Sequence, residues 1–83
     1  MYRNQFIRTY DNNSFNNQRQ PQISLQDSIQ IATNHISGQV IKVELEMEDG
    51  LLVYEVKIMT PEGYPYEIEV DAITGEIVKV ELD

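Results

Sequence analysis

From Ile41 to Glu48 the chain alternates without a break: Ile41, Val43, Leu45 and Met47 are apolar, while Lys42, Glu44, Glu46 and Glu48 are charged. A period of two belongs to a β-strand, whose successive side chains point to opposite faces. Asp49-Gly50 follows, and a two-residue hairpin turn needs positive φ at both central positions, which these residues tolerate. The alternation then resumes through Leu52, Tyr54, Val56 and Ile58. Folding back about the turn sets Met47 opposite Leu52, Leu45 opposite Tyr54, Val43 opposite Val56 and Ile41 opposite Ile58. Each apolar side chain meets another, so burial selects this register. A sheet with one apolar face then requires a cover.

Two further turns extend the meander. Pro61-Glu62-Gly63 suits a three-residue loop, with Pro at the first turning position and Gly at the left-handed bulge. It sets Ile58 opposite Tyr66, Val56 opposite Ile68 and Tyr54 opposite Val70, which places Tyr54, Tyr64 and Tyr66 on the inner face. In Asp71-Ala72-Ile73-Thr74-Gly75 the aspartate accepts from amides ahead of it and Gly75 supplies a positive φ. Val78, Val80 and Leu82 complete the inner face if a bulge corrects the register. A slip of one residue would bury Ile77, Lys79 and Glu81 instead, and the two charges argue against it.

The cover precedes the strands. Ser24 followed by Asp27 has the form of a capping box. Leu25, Ile29, Ala32 and Ile36 recur at helical spacing, and Gly38 is suited to end the helix in a left-handed conformation. The expected fold class is α+β: one N-terminal helix over 25–36, packed on a three- to four-stranded antiparallel β-meander.

Charge divides the chain at the same place. Residues 23–83 hold three lysines against thirteen acids, whereas 1–22 hold Arg3, Arg8 and Arg19 against Asp11 alone. The first segment is rich in Asn and Gln and buries too little apolar surface to offset its ordering entropy. It is expected to be a flexible tail ahead of a domain at 23–83. The competing reading is a partner-binding arm anchored by Tyr2, Phe6, Ile7, Tyr10 and Phe15. A net charge of −8 disfavours nucleic acid, whose phosphates need a basic face. The absence of cysteine removes disulfides and thiolate metal sites. No apolar run is long enough for a membrane span or a signal peptide, and the residues themselves assign no compartment.

The solvent face of the sheet carries one row of Glu44, Glu55, Glu69 and Lys79, and another of Lys42, Lys57, Glu67 and Glu81. Its ordinary role is a solvated, charge-patterned surface that deters stacking. The nearest approach to a metal set is Glu44, Glu55 and Glu69, but a flat sheet seldom supplies the six or more oxygens a hard cation takes, so no metal is expected. Apolar side chains flank the charged rows: Val40, Met59 and Pro65 at one end, and Leu51, Val53 and Ile77 at the other. These are the candidate partner-binding residues, and the two outer strands offer backbone groups on which another strand could form.

No catalytic constellation assembles, and no cofactor is implied. His35 is the sole histidine and falls near the helix end, where the dipole favours it as a surface or capping residue. Ser24, Ser28 and Ser37 read as cap, helix surface and turn. Gly38, Gly50, Gly63 and Gly75 are used by turns, so no glycine-rich phosphate loop remains.

The segment from Ile23 to Leu82 resembles a PepSY domain. The matching residues are Ile31-Ala32 in a helix ending at Ser37-Gly38, then Val43-Glu44-Leu45 and Tyr54-Glu55-Val56. The most specific match is the closing Val70-Asp71-Ala72-Ile73-Thr74-Gly75-Glu76-Ile77. The resemblance implies a helix on an antiparallel sheet, with Asp71, Thr74 and Gly75 as structural turn-formers, like Asp49, Gly50 and Gly63. Such domains occur in propeptides of thermolysin-like metallopeptidases and in secreted or envelope proteins of bacteria, where they are proposed to inhibit or regulate peptidases. The chain departs from that context in having no attached peptidase and no visible export signal. The expected function is a non-enzymatic module that binds a protein partner, a peptidase by this resemblance. The alternative is a self-associating structural or assembly protein of a bacterial coat or envelope.

Overall fold

The computed structural model describes residues 20–83. The expected tail at 1–22 lies, but for its last three residues, outside them. Helix α1 spans Leu25–His35. Its start is fixed by the capping box: the Asp27 amide donates to Ser24 Oγ at 3.0 Å, and the Ser24 amide donates to Asp27 Oδ2 at 3.2 Å. Four strands follow, β1 (Gln39–Glu48), β2 (Leu51–Met59), β3 (Pro65–Asp71) and β4 (Ile77–Leu82), in one antiparallel sheet of order β1-β2-β3-β4. The fold is α+β, with the helix ahead of the strands.

The two hairpin turns form as their residues require. Asp49 and Gly50 take φ of 51° and 86°, and Gly63 takes 93°. Thr60 and Tyr64 close the second loop, the Thr60 amide donating to Tyr64 O and the Tyr64 amide to Thr60 Oγ1. In the third turn Asp71 Oδ1 accepts from the amides of Ile73 and Thr74, at 2.7 and 3.1 Å. Thr74 Oγ1 then accepts from the Glu76 amide at 3.1 Å. The same turn holds the segment ahead of the helix, because the amides of Gln22 and Ile23 both donate to Ala72 O.

The core lies between helix and sheet, built from Val43, Leu45, Leu52, Tyr54, Val56, Ile58, Ile68, Val70, Ala32 and Ala72. Tyr54 is buried there, its hydroxyl donating to Ile23 O at 2.9 Å, so its polar tip is satisfied at the edge of an apolar layer. The helix meets this layer through small residues. Ser28 and Ala32, one turn apart, are its buried positions, and Leu25, Ile29 and Ile36 pack beside them. Ser28 is therefore not the surface residue the sequence suggests. Its hydroxyl donates to Leu25 O at 2.7 Å, which satisfies it locally and lets the helix backbone approach the strands.

Gly38 also differs from expectation. It is not among the positive-φ residues, and the helix ends with extended backbone at Ile36. Glycine is required there for a close approach: a Cβ would sit 2.5 Å from Met59 O and 2.6 Å from Ile58 Cγ2. Tyr64, expected inside, is exposed in the turn ahead of β3, while Tyr66 opposite Ile58 is half-buried.

Candidate functional site

The observed register places Glu44, Glu55, Glu69 and Lys79 in one row across the sheet and Lys42, Lys57, Glu67 and Glu81 in the next. The ion pairs run along the strands, Lys42 to Glu44 at 3.7 Å and Lys79 to Glu81 at 3.6 Å, while Lys57 pairs with Asp83. The carboxylates also crowd. Oxygens of Glu44, Glu46 and Glu55 lie within 4.8 Å of one another, as do those of Glu48, Glu55 and Glu69. The trio Glu44, Glu55 and Glu69 is thus divided between two groups that share Glu55. With one oxygen from each residue, either group offers three protein ligands, against the six to eight oxygens of a calcium shell.

The crowding favours protonation of Glu55. Partial burial raises the Glu55 pKa to about 7, helped by a hydrogen bond with Glu46 and by the charges of Glu46, Glu67 and Glu69. Glu69, only 7% exposed, is also raised, first by burial and then by Glu48, with Lys79 opposing. Spacing alone identifies the row. It does not show that the pleat brings Glu46 and Glu48 onto Glu55.

The apolar candidates are redistributed by two bulges. A register shift between Val40 and Lys42 puts Val40, not Ile41, opposite Ile58, so Val40 packs against the core. A second shift makes Val78 the extra residue of β4 and sets Ile77 opposite Val70, where it too packs inward. Val53 lies between Glu46 and Asp71 on the neighbouring strands and is fully buried. Neither expected end-patch is therefore assembled as a whole. Leu51 stays exposed in the hairpin, and Met59 and Pro65 are paired and half-buried.

Besides Leu51 beside the first turn and Ile73 in the third, exposed apolar surface lies on the helix side of β4. Val80 opposite Ile68 and Leu82 opposite Tyr66 belong to the face that β2 and β3 bury, yet they are 41% and 55% exposed, and Tyr64 is 57% exposed at the same end of the sheet. The reason is reach: α1 lies over β1, β2 and β3. Val80 and Leu82 were legible as inward-facing, and only the limited width of one helix could have marked them as uncovered.

A helix covering most of one face of an antiparallel meander, with a charged opposite face and an uncovered apolar edge, defines a small α+β domain. The family described as peptidase propeptide and YPEB domain matches residues 22–81. The chain belongs to this PepSY family, whose domains are generally non-catalytic protein-interaction modules. YkoJ of Bacillus subtilis is 34% identical over 61 residues, which is 74% of this chain and 36% of that protein. A crystal structure of a putative lipoprotein from Clostridium difficile 630 superposes with a TM-score of 0.70 at 26% identity, covering 74% of this chain and 40% of the other. YpmB of Bacillus subtilis superposes with a TM-score of 0.67 at 28% identity, covering 74% and 48%. The chain therefore spans less than half the length of each of these relatives. No helix among the described residues is long and apolar enough to cross a membrane.

Proposed function

We propose that the chain is a non-enzymatic binding module that restrains or regulates a peptidase in the manner of PepSY propeptide domains. The observation that carries this reading is the apolar strip of Val80, Leu82 and Tyr64, which extends the core face past the helix to the sheet edge. Such a strip offers apolar contact together with free backbone groups, the combination used when a partner segment adds to a sheet. Val40, Met59 and Pro65 at the same end and Leu51 at the other serve as secondary contacts, while the buried Val53 and the inward-packed Ile77 support the sheet. The test is turnover of a metallopeptidase from the same source, titrated with the full chain. Stoichiometric inhibition is expected, lost in Leu82→Asp and Tyr64→Asp while the melting curve holds. Unchanged turnover at excess chain would refute the peptidase reading.

The alternative role, in assembly of a bacterial coat or envelope, is favoured by the same free edge. It predicts self-association that weakens when residues 1–22 are removed.

A further inference from the structure

The edge of β4 is self-complementary, and we infer that a second copy of this chain pairs with it, antiparallel about a two-fold axis at Val80. The inference does not depend on the peptidase reading.

The phase of the strand comes first. The Asp83 amide donates to Pro65 O at 2.8 Å, and Glu81 and Lys79 face Glu67 and Glu69 in the same register. Backbone groups alternate between the two sides of an antiparallel strand. Those of residues 79, 81 and 83 are therefore directed at β3, and those of Val80 and Leu82 are directed away from it. That outer edge has no strand partner among the described residues.

A second β4 must bring outward-directed residues opposite each other. Three registers do this near the strand centre. One places Lys79 against Lys79 of the other copy, and another places Glu81 against Glu81. The third centres on Val80 and sets Lys79 against Glu81 twice, once on each side of the axis. Opposite charges directly across a sheet attract and like charges repel, so the charges select the third. It makes Val80 and its symmetry mate a hydrogen-bonded pair. Lys79 and Glu81 then form the closer, non-hydrogen-bonded pairs, in which side chains approach most nearly.

The opposite face agrees. In the same register Val80 meets Val80 on the helix side, and Leu82 falls opposite the bulged Val78, so exposed apolar residues of β4 are brought together. The other edge shares only part of this. Pairing of β1 about Val43 would also oppose Lys42 and Glu44, but on the helix side Val43 and Leu45 are already buried, so it would cover no exposed apolar residue. The complementarity closes a dimer about one axis and does not build an open array. So short an edge makes a small contact, and the dimer is expected to be weak, with a Kd of about 10–100 μM.

Sedimentation equilibrium of the full chain from low micromolar to millimolar concentration tests this. A reversible monomer–dimer equilibrium is expected, weakened about tenfold or more by Lys79→Glu and by Glu81→Lys, each of which opposes like charges twice. The double reversal should restore the wild-type constant to within about threefold. Both side chains are about half exposed, and an unchanged far-UV circular dichroism melt establishes that each variant folds. A chain that stays monomeric throughout would overturn the inference. So would a mass that keeps rising with concentration, single reversals that associate like wild type, or a double variant as weak as the singles. None of these readouts involves a peptidase, so the two proposals fail separately.

Discussion

Replacing Glu55 by glutamine should remove one pH-dependent liability of the charged face and leave that of Glu69. The native pKa of Glu55 is about 7 against an ordinary value of 4.5. Below pH 4.5 both folded and unfolded chains carry the proton, and the site costs the fold nothing. Between 4.5 and 7 the unfolded chain has released it and the native chain has not, so native protein binds more protons and stability falls as pH rises. Above 7 both have lost it, and the native state bears the full cost of a charge packed among Glu46, Glu48 and Glu69. Each pH unit separating the native and ordinary values is worth about 1.4 kcal/mol. The upper bound is then roughly 3.5 kcal/mol, which solvent screening on this half-buried face reduces to roughly 1–2 kcal/mol. Glu69 is displaced in the same direction and steepens the decline. Urea unfolding followed by far-UV circular dichroism at constant ionic strength, at pH 5, 6, 7 and 8, reads this directly. Wild type should lose stability across the series. Glu55→Gln, which mimics the protonated carboxyl, should match it near pH 5 and exceed it at pH 8. A wild-type stability that is flat or rising over this range, or a variant with the wild-type slope, would refute the reasoning.

Gly38→Ala should cost roughly 2–3 kcal/mol, because the added methyl meets the Met59 carbonyl oxygen, a backbone atom that cannot rotate away; a urea midpoint within error of wild type would show that the helix–strand connection yields instead. Tyr54→Phe should cost about 1 kcal/mol by leaving Ile23 O without its hydroxyl partner, and amide exchange near Ile23 should quicken more than exchange in β1.

The local signals in the sequence were strong because each rested on a single short-range cause. Alternation about Asp49-Gly50 needs only the pleat and the turn, and the pairs from Met47–Leu52 through Val43–Val56 form as that pattern implies. The capping box at Ser24 and Asp27 is likewise closed over three residues. The misreadings begin where a third body enters. Ile41 yields its place opposite Ile58 to Val40 because a bulge absorbs one residue as the chain leaves the helix. Ser28 looks like a surface residue until the helix is set against the sheet, when the small side chain becomes fully buried. Gly38 reads as a helix terminator, whereas its constraint comes from the end of β2, on the far arm of the hairpin that follows it. The candidate site was less legible for the same reason. Periodicity assigns a residue to a face, but exposure depends on what lies above that face.

The geometry of that cover explains why the open surface falls at β4. An α-helix with its side chains is about 10 Å wide, whereas four strands spaced at about 4.8 Å separate the outermost axes by about 14 Å. One helix therefore cannot seal this sheet, and an outer strand must stay partly bare. Chain connection decides which. The helix runs directly into β1 through Ile36, Ser37 and Gly38, and Gly38 presses that connection against β2. At its other end the Gln22 and Ile23 amides are held on Ala72 O, just past the end of β3. Both tethers draw α1 toward the first three strands and away from β4. Val80 and Leu82 are consequently apolar for a face that the fold does not finish, and their alternation with Lys79 and Glu81 gives whatever completes it a defined register.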